Sequence, residues 1–233
     1  MSHFRRGRRG PDFEYPARML RIAALLSLLS LVACDGGPVP PGADSGVDMS
    51  IFPVAPGLKW TYRVTSGAGE VAEKVQTVTG TIAYEGRSAF RFETQRVGLK
   101  EAVSIQAVEG DRVVRLEEWN YENQALVERD RYVPFGVRVD RAKITAGDTY
   151  QDQHDKEILD EQGNVITKKR VIYNFFVEAG AELVEVPAGR LPCVRVRREE
   201  VGKDSSKTYW YSPGIGKVKE IGGQTEELLK LER

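Results

Sequence analysis

From Ile51 onward, short runs of β-branched and aromatic residues recur, separated by turn-forming clusters such as "SGAG", "YEGR" and "EGDR". In "AFRFETQRV", Phe90, Phe92 and Thr94 fall on one face while Arg91, Glu93 and Gln95 fall on the other. That two-residue period marks a strand with one buried and one wet face. Twelve such runs are predicted: Lys59–Thr65, Val71–Ile82, Ala89–Val97, Ala102–Val108, Val113–Trp119, Ala125–Tyr132, Val165–Val177, Glu182–Val186, Cys193–Glu199, Thr208–Tyr211, Lys217–Ile221 and Glu226–Leu231. Tyr121–Gln124 and Asp160–Asn164 read as hairpin connections, and no amphipathic helix of ten residues interrupts the series. The expectation is an all-β fold: one large curved antiparallel sheet closing into a half-barrel or barrel, with a two-sheet sandwich as the runner-up.

The chain before Ile51 follows a different pattern. Ile22–Val32, "IAALLSLLSLV", is eleven residues without a charge, preceded by Arg18 and Arg21. As a helix it rises roughly 17 Å, too short for a hydrocarbon core of roughly 30 Å, but of the length of a signal-peptide apolar region. Residues 35–50, "DGGPVPPGADSGVDMS", contain four glycines and three prolines and little to bury. Such a segment behaves as a leash with a coil span of roughly 20–25 Å. The expected organisation is therefore residues 1–33 as signal peptide, 34–50 as anchor and tether, and 51–233 as a single antiparallel β domain. Met19 offers a second start that leaves a signal of more usual length, so both Met1 and Met19 stand as candidate initiators.

At the border, Leu31-Val32-Ala33-Cys34 resembles the lipobox of bacterial lipoproteins. The resemblance implies cleavage between Ala33 and Cys34, lipid attachment at the Cys34 sulfur, and a membrane anchor made of acyl chains, each buried methylene contributing about 0.8 kcal/mol. It places the protein in the cell envelope, outer membrane favoured and inner open, with the body in the periplasm or at the cell surface. Three further motifs, Phe52–Val64 ("FPVAPGLKWTYRV"), Val184–Arg197 ("VEVPAGRLPCVRVR") and Tyr209–Ile221 ("YWYSPGIGKVKEI"), resemble a group of secreted bacterial β proteins and lipoproteins. That likeness implies a curved sheet loosely similar to lipoprotein-carrier half-barrels, and no particular activity.

Charge narrows the partners. Six of the 34 basic and two of the 34 acidic residues fall within residues 1–34, which leaves 28 against 32 in the rest. A mildly acidic body without a basic stripe excludes nucleic acid.

The search for chemistry finds no phosphate-binding glycine loop, nucleophile elbow or zinc-protease motif. His154 is the one histidine beyond residue 34, in "DTYQDQHDKEILDE", where a solvated hairpin loop is expected rather than a metal site with Asp152 and Asp155. Cys193, flanked by Leu191, Val194 and Val196, is expected in the core. Glu117-Glu118 and Glu199-Glu200 direct adjacent carboxylates to opposite faces, the wrong arrangement for shared acid–base work. No catalytic residue, metal or cofactor is predicted. Trp60, Tyr62, Phe90, Phe92, Trp119 and Trp210 are the candidates to line an apolar pocket. The function expected is that of a non-catalytic envelope lipoprotein, its concave face binding an apolar ligand, a lipidated client or a partner. The alternatives are a structural or assembly subunit and, behind it, a hydrolase using scattered carboxylates.

Overall fold

The alternating positions form twelve strands: β1 Lys59–Ser66, β2 Val71–Tyr84, β3 Arg87–Arg96, β4 Leu99–Glu109, β5 Arg112–Glu122, β6 Ala125–Asp140, β7 Thr149–Leu159, β8 Val165–Val186, β9 Gly189–Glu200, β10 Ser206–Ser212, β11 Gly216–Ile221 and β12 Gln224–Glu232. The structure is a computed structural model and describes residues 50–233. The expected signal peptide and lipobox, and the tether up to residue 49, lie outside the described residues. Each strand pairs antiparallel with its sequence neighbours, and β12 returns to β1 over Lys59↔Glu232 to Ser66↔Gln224. The sheet is a closed up-and-down barrel, and closure removes both free edges.

The turns follow from local residue choice. Glu85-Gly86, Val97-Gly98 and Asn123-Gln124 each place two successive residues at positive φ, the conformation of a type I′ turn whose twist matches its flanking strands. Val97 has no glycine-like freedom, and its positive φ is imposed by the hairpin around it.

Two expectations need correction. The stretch around His154, expected as a solvated loop, is strand β7, paired with β8 from Thr149↔Phe176 to Leu159↔Val165. The runs expected separately at Val165–Val177 and Glu182–Val186 are one strand, β8, with register shifts between Val177 and Glu182. Those irregularities let a 22-residue strand bend, so that its first part pairs with β7 and its last part with β9 alone.

Residues paired across an antiparallel ladder share a face, so the register identifies what points into the barrel. Trp60, Tyr62, Phe92, Phe175, Val177, Val194, Val196, Tyr211 and Leu228 are inward and buried. Trp60 stacks on Phe92 with ring centroids 6.4 Å apart, and Tyr150 stacks on Phe175 at 4.4 Å. The segment before β1 closes this end: Phe52 lies against Trp60 and Tyr211, with Ile51 and Leu58 buried beside it. The Trp60 indole N–H donates to the Ile215 carbonyl. Gly216, at φ 94°, passes so close that a Cβ there would meet the indole at 3.4 Å.

This packed end should dominate stability. Trp60→Ala is expected to cost about 3–5 kcal/mol through lost burial and the cavity left behind. Trp210→Ala, half-buried on the outer face of β10, should cost less, about 1.5–3 kcal/mol, chiefly the hydrogen bond to the Glu182 carboxylate. Urea unfolding of the two variants checks the difference.

Candidate functional site

The apolar packing fills only part of the interior. Toward the end carrying the β1–β2, β3–β4, β5–β6, β9–β10 and β11–β12 turns, the inward positions become polar and charged. They surround a solvent-open chamber of about 430 Å³. A small-molecule site typically occupies roughly 300–1,000 Å³. Seven cationic side chains and five carboxylates line it, together with His154 and several tyrosines and amides.

One wall is a lysine–glutamate network on β2, β10, β11 and β12. Lys217, 8 % exposed, sets its ammonium 2.7 Å from Glu220 Oε2 and 2.7 Å from Glu226 Oε2. Lys74 takes Glu226 Oε1 at 2.6 Å, Lys207 takes Glu220 Oε1 at 2.8 Å, and the Gln224 amide donates to Glu226 Oε1. The Lys217 ammonium also sits 5.0 Å over the Tyr62 ring, whose hydroxyl donates to the Lys217 carbonyl. Every oxygen of both carboxylates therefore has a cationic partner. Burial pushes each carboxyl pKa upward, but Lys217, with Lys207 for Glu220 and Lys74 for Glu226, outweighs it, and both groups titrate well below the ordinary glutamate range. A general acid needs the opposite shift. This pair is a structural clamp and does not suit glycoside-type catalysis.

The facing wall, on β5 to β9, is built from arginine, tyrosine and a buried histidine. Arg115 forms an ion pair with Glu118, and Tyr132 donates to Glu118 Oε2 at 3.1 Å. His154, 3 % exposed, holds its Nδ1 2.9 Å from Asp152 Oδ2, which fixes the ring. Its ring meets the Tyr132 ring edge-on at 5.3 Å. Gly136 makes that approach possible, because a Cβ there would lie 3.0 Å from the Tyr132 ring and 3.3 Å from the His154 ring. The Arg198 guanidinium lies 4.4 Å from the Tyr173 ring and 5.4 Å from the Tyr209 ring.

Ala33 and Cys34 lie outside the described residues. None of the six candidate pocket aromatics lines the chamber. Trp60, Tyr62 and Phe92 are buried in the packed end, with Phe90 on the same inward face of β3. Trp119 is on the outer face of β5, between Arg91 and Arg129, its indole N–H donating to Glu117. Trp210 is on the outer face of β10, donating to Glu182. Cys193 is 1 % exposed, and burial pushes its thiol up to about 12, the state of an inert core cysteine. Among the described residues, no group of three or more His, Cys, Asp or Glu side chains is placed to hold a metal ion.

The chamber residues went unrecognised because they are charges inside a barrel. A signal for them exists in the strand parity: Glu226 shares its face with Leu228, and Asp152 and His154 share theirs with Tyr150.

No protein-family model matches this chain, and no curated protein matches it. Two solved structures are similar to it. A protein classed as exported, with a YmcC-like fold, from Bacteroides fragilis aligns at 15 % identity and TM-score 0.47, covering 79 % of this chain and 100 % of its own. A protein classed as a lipoprotein from Parabacteroides distasonis aligns at 13 % identity and TM-score 0.44, covering 79 % of this chain and 99 % of its own.

The lysine–glutamate clamp gives acid sensitivity of definite sign. Groups whose folded pKa is depressed stabilise fully above their unfolded value, here about 4.5, and lose that contribution as pH falls toward the folded value, about 2 for Glu226. Stability should therefore drop between about pH 4.5 and pH 2. Lys217→Met should cost about 3–5 kcal/mol at pH 7, because it strands two like charges. It should also shrink the difference in stability between pH 7 and pH 3. Urea midpoints of both proteins at the two pH values test this.

Proposed function

We propose that this chain is an exported lipoprotein, anchored through Cys34, whose barrel is a non-catalytic receptor for a small polar molecule. The observation that carries the reading is the division of the interior. Apolar side chains fill one end, and the space left open is lined by charges, amides and tyrosine hydroxyls. An acyl chain placed there would desolvate ion pairs without offering them partners, at a cost of several kcal/mol. The earlier expectation of an apolar ligand among inward aromatics is replaced by that of a polar one, because those aromatics pack against each other or face outward.

The support for an envelope anchor is the lipobox and the proline- and glycine-rich leash that follows it. The alternative of an assembly subunit rests on a different feature: Val71, Val97, Leu99, Val165 and Ile166 are exposed at or beside turns on the chamber's end of the barrel. A partner resting on that rim would cover them.

Cys34→Ala should abolish fatty-acid labelling and release the protein from the membrane fraction of its native host, whereas retained labelling refutes the anchor. In that background, Ala102→Cys places a thiol on the chamber wall while Cys193 stays buried. A negatively charged methanethiosulfonate reagent should modify the new thiol, and palmitate should neither co-purify nor slow the reaction. Protection by palmitate refutes the polar-receptor reading.

A further inference from the structure

The charges of the chamber do not balance, and the imbalance is localised. Among its five carboxylates, Glu220 and Glu226 are paired with three lysines, Glu118 with Arg115 and Glu101 with Arg96 at 2.8 Å, while Asp152 Oδ2 lies 2.9 Å from His154 Nδ1. Arg138 and Arg198 line the same chamber and have no carboxylate partner among the described residues. In addition, the Nε atoms of Arg96, Arg115 and Arg138 are buried without a hydrogen-bond acceptor. Buried donors of this kind are costly to leave unmade, and three on one cavity form a surplus of a single type. The register brings two together: Gly136 is the cross-strand partner of Arg115, and Arg138 follows it by two residues on β6.

We propose that the chamber binds a compact oxyanion, the carboxylate or phosphate group of a small polar molecule, through the guanidinium groups of Arg138 and Arg198. The inference rests on the polar-receptor reading and deepens it by naming the charge of the ligand. Guanidinium groups match oxyanions because their N–H donors form a planar fork that two oxygens can engage at once, a geometry that a chloride ion cannot satisfy. The tyrosine rings support the arrangement. Tyr173 and Tyr209 hold the Arg198 plane by cation–π contact, and Tyr132, 5.7 Å from the Arg115 guanidinium, does the same for that residue. The donors are thereby held in place before the ligand arrives, which lowers the ordering cost of binding. The lysine network contributes net positive potential, but its ammonium groups are already committed to Glu220 and Glu226.

The test is calorimetry at pH 7 and low salt with citrate and with inorganic phosphate, glucose serving as the neutral control and sodium chloride as the screening control. Citrate or phosphate is expected to bind saturably and raise the melting temperature, with affinity falling as chloride is added. Binding by phosphate alone or by citrate alone supports the inference and identifies which oxyanion is read. Arg138→Met should weaken binding about 10- to 100-fold, the loss expected for a charge-assisted hydrogen bond. The exposed Arg190→Met, a charge-matched control, should leave it unchanged. Arg198→Met provides a second variant should Arg138→Met fail to fold. Unaltered binding in a folded variant of either arginine overturns the assignment, as does failure of both anions to bind. The Ala102→Cys thiol separates the two claims: if anions fail while that thiol still reacts with the charged reagent, the chamber reading stands without its anion. If the thiol is closed as well, both fail.

Discussion

Closure of β12 onto β1 is the constraint from which the interior follows. Eight strands make a barrel narrow enough for side chains to fill, and diameter grows with strand number. Twelve strands enclose more space than the apolar residues of a chain this size can occupy from one end to the other. Here Phe52, Trp60, Phe92 and Tyr211 meet at one end, and the rest of the lumen is given to charged and polar residues and tyrosines. A half-barrel could have relieved the same shortage by opening, but at the expense of two exposed strand edges.

A polar lumen carries its own requirement, because charges withdrawn from water must find partners or a ligand. The walls solve this in two ways. On β2, β10, β11 and β12, lysine and glutamate satisfy each other almost completely, which ties four strands together and leaves nothing for a solute. On β5 to β9, the guanidinium groups are held against tyrosine rings and only partly neutralised. Rings orient an arginine without quenching it, whereas carboxylates do both. The difference separates a wall that stabilises the barrel from a wall able to recognise something. Glu117 on the outer face shows the first solution again: it is buried, yet Tyr84, Trp119 and Arg129 all donate to it.

The same division explains what could be read from the sequence. Strands with one apolar and one wet face are legible, and the closed antiparallel barrel lies within the expected fold class. Strand β7 was missed because both its faces are polar where it borders the chamber: Asp152 and His154 point in, and Gln151, Gln153 and Asp155 point out. Alternation between polar residues leaves no hydrophobic period. β8 was divided because its bend falls on "EAGA", which resembles a break and is a run of register shifts inside one strand. The tryptophans could be recognised as large buried surfaces, but nothing local reveals that Trp60 faces inward while Trp119 and Trp210 face outward. The site itself was illegible for a general reason: an inward arginine and an outward one look alike until the register is known, and the register is set by closure.

The position of the first described residues adds a directional argument. The Ser50 carbonyl accepts from the Gly214 N–H in the β10–β11 turn, and Phe52 seals the packed end two residues later. The chain therefore joins the barrel at the end opposite the chamber. Ile51, Phe52 and Leu58 are apolar, and burying them is favourable only where the lumen is apolar, so they lie with Trp60 and Tyr211 and away from the charged walls. The start of β1 and the division of the interior are therefore linked: the first described residues complete the packed end, and the polar chamber is left at the other.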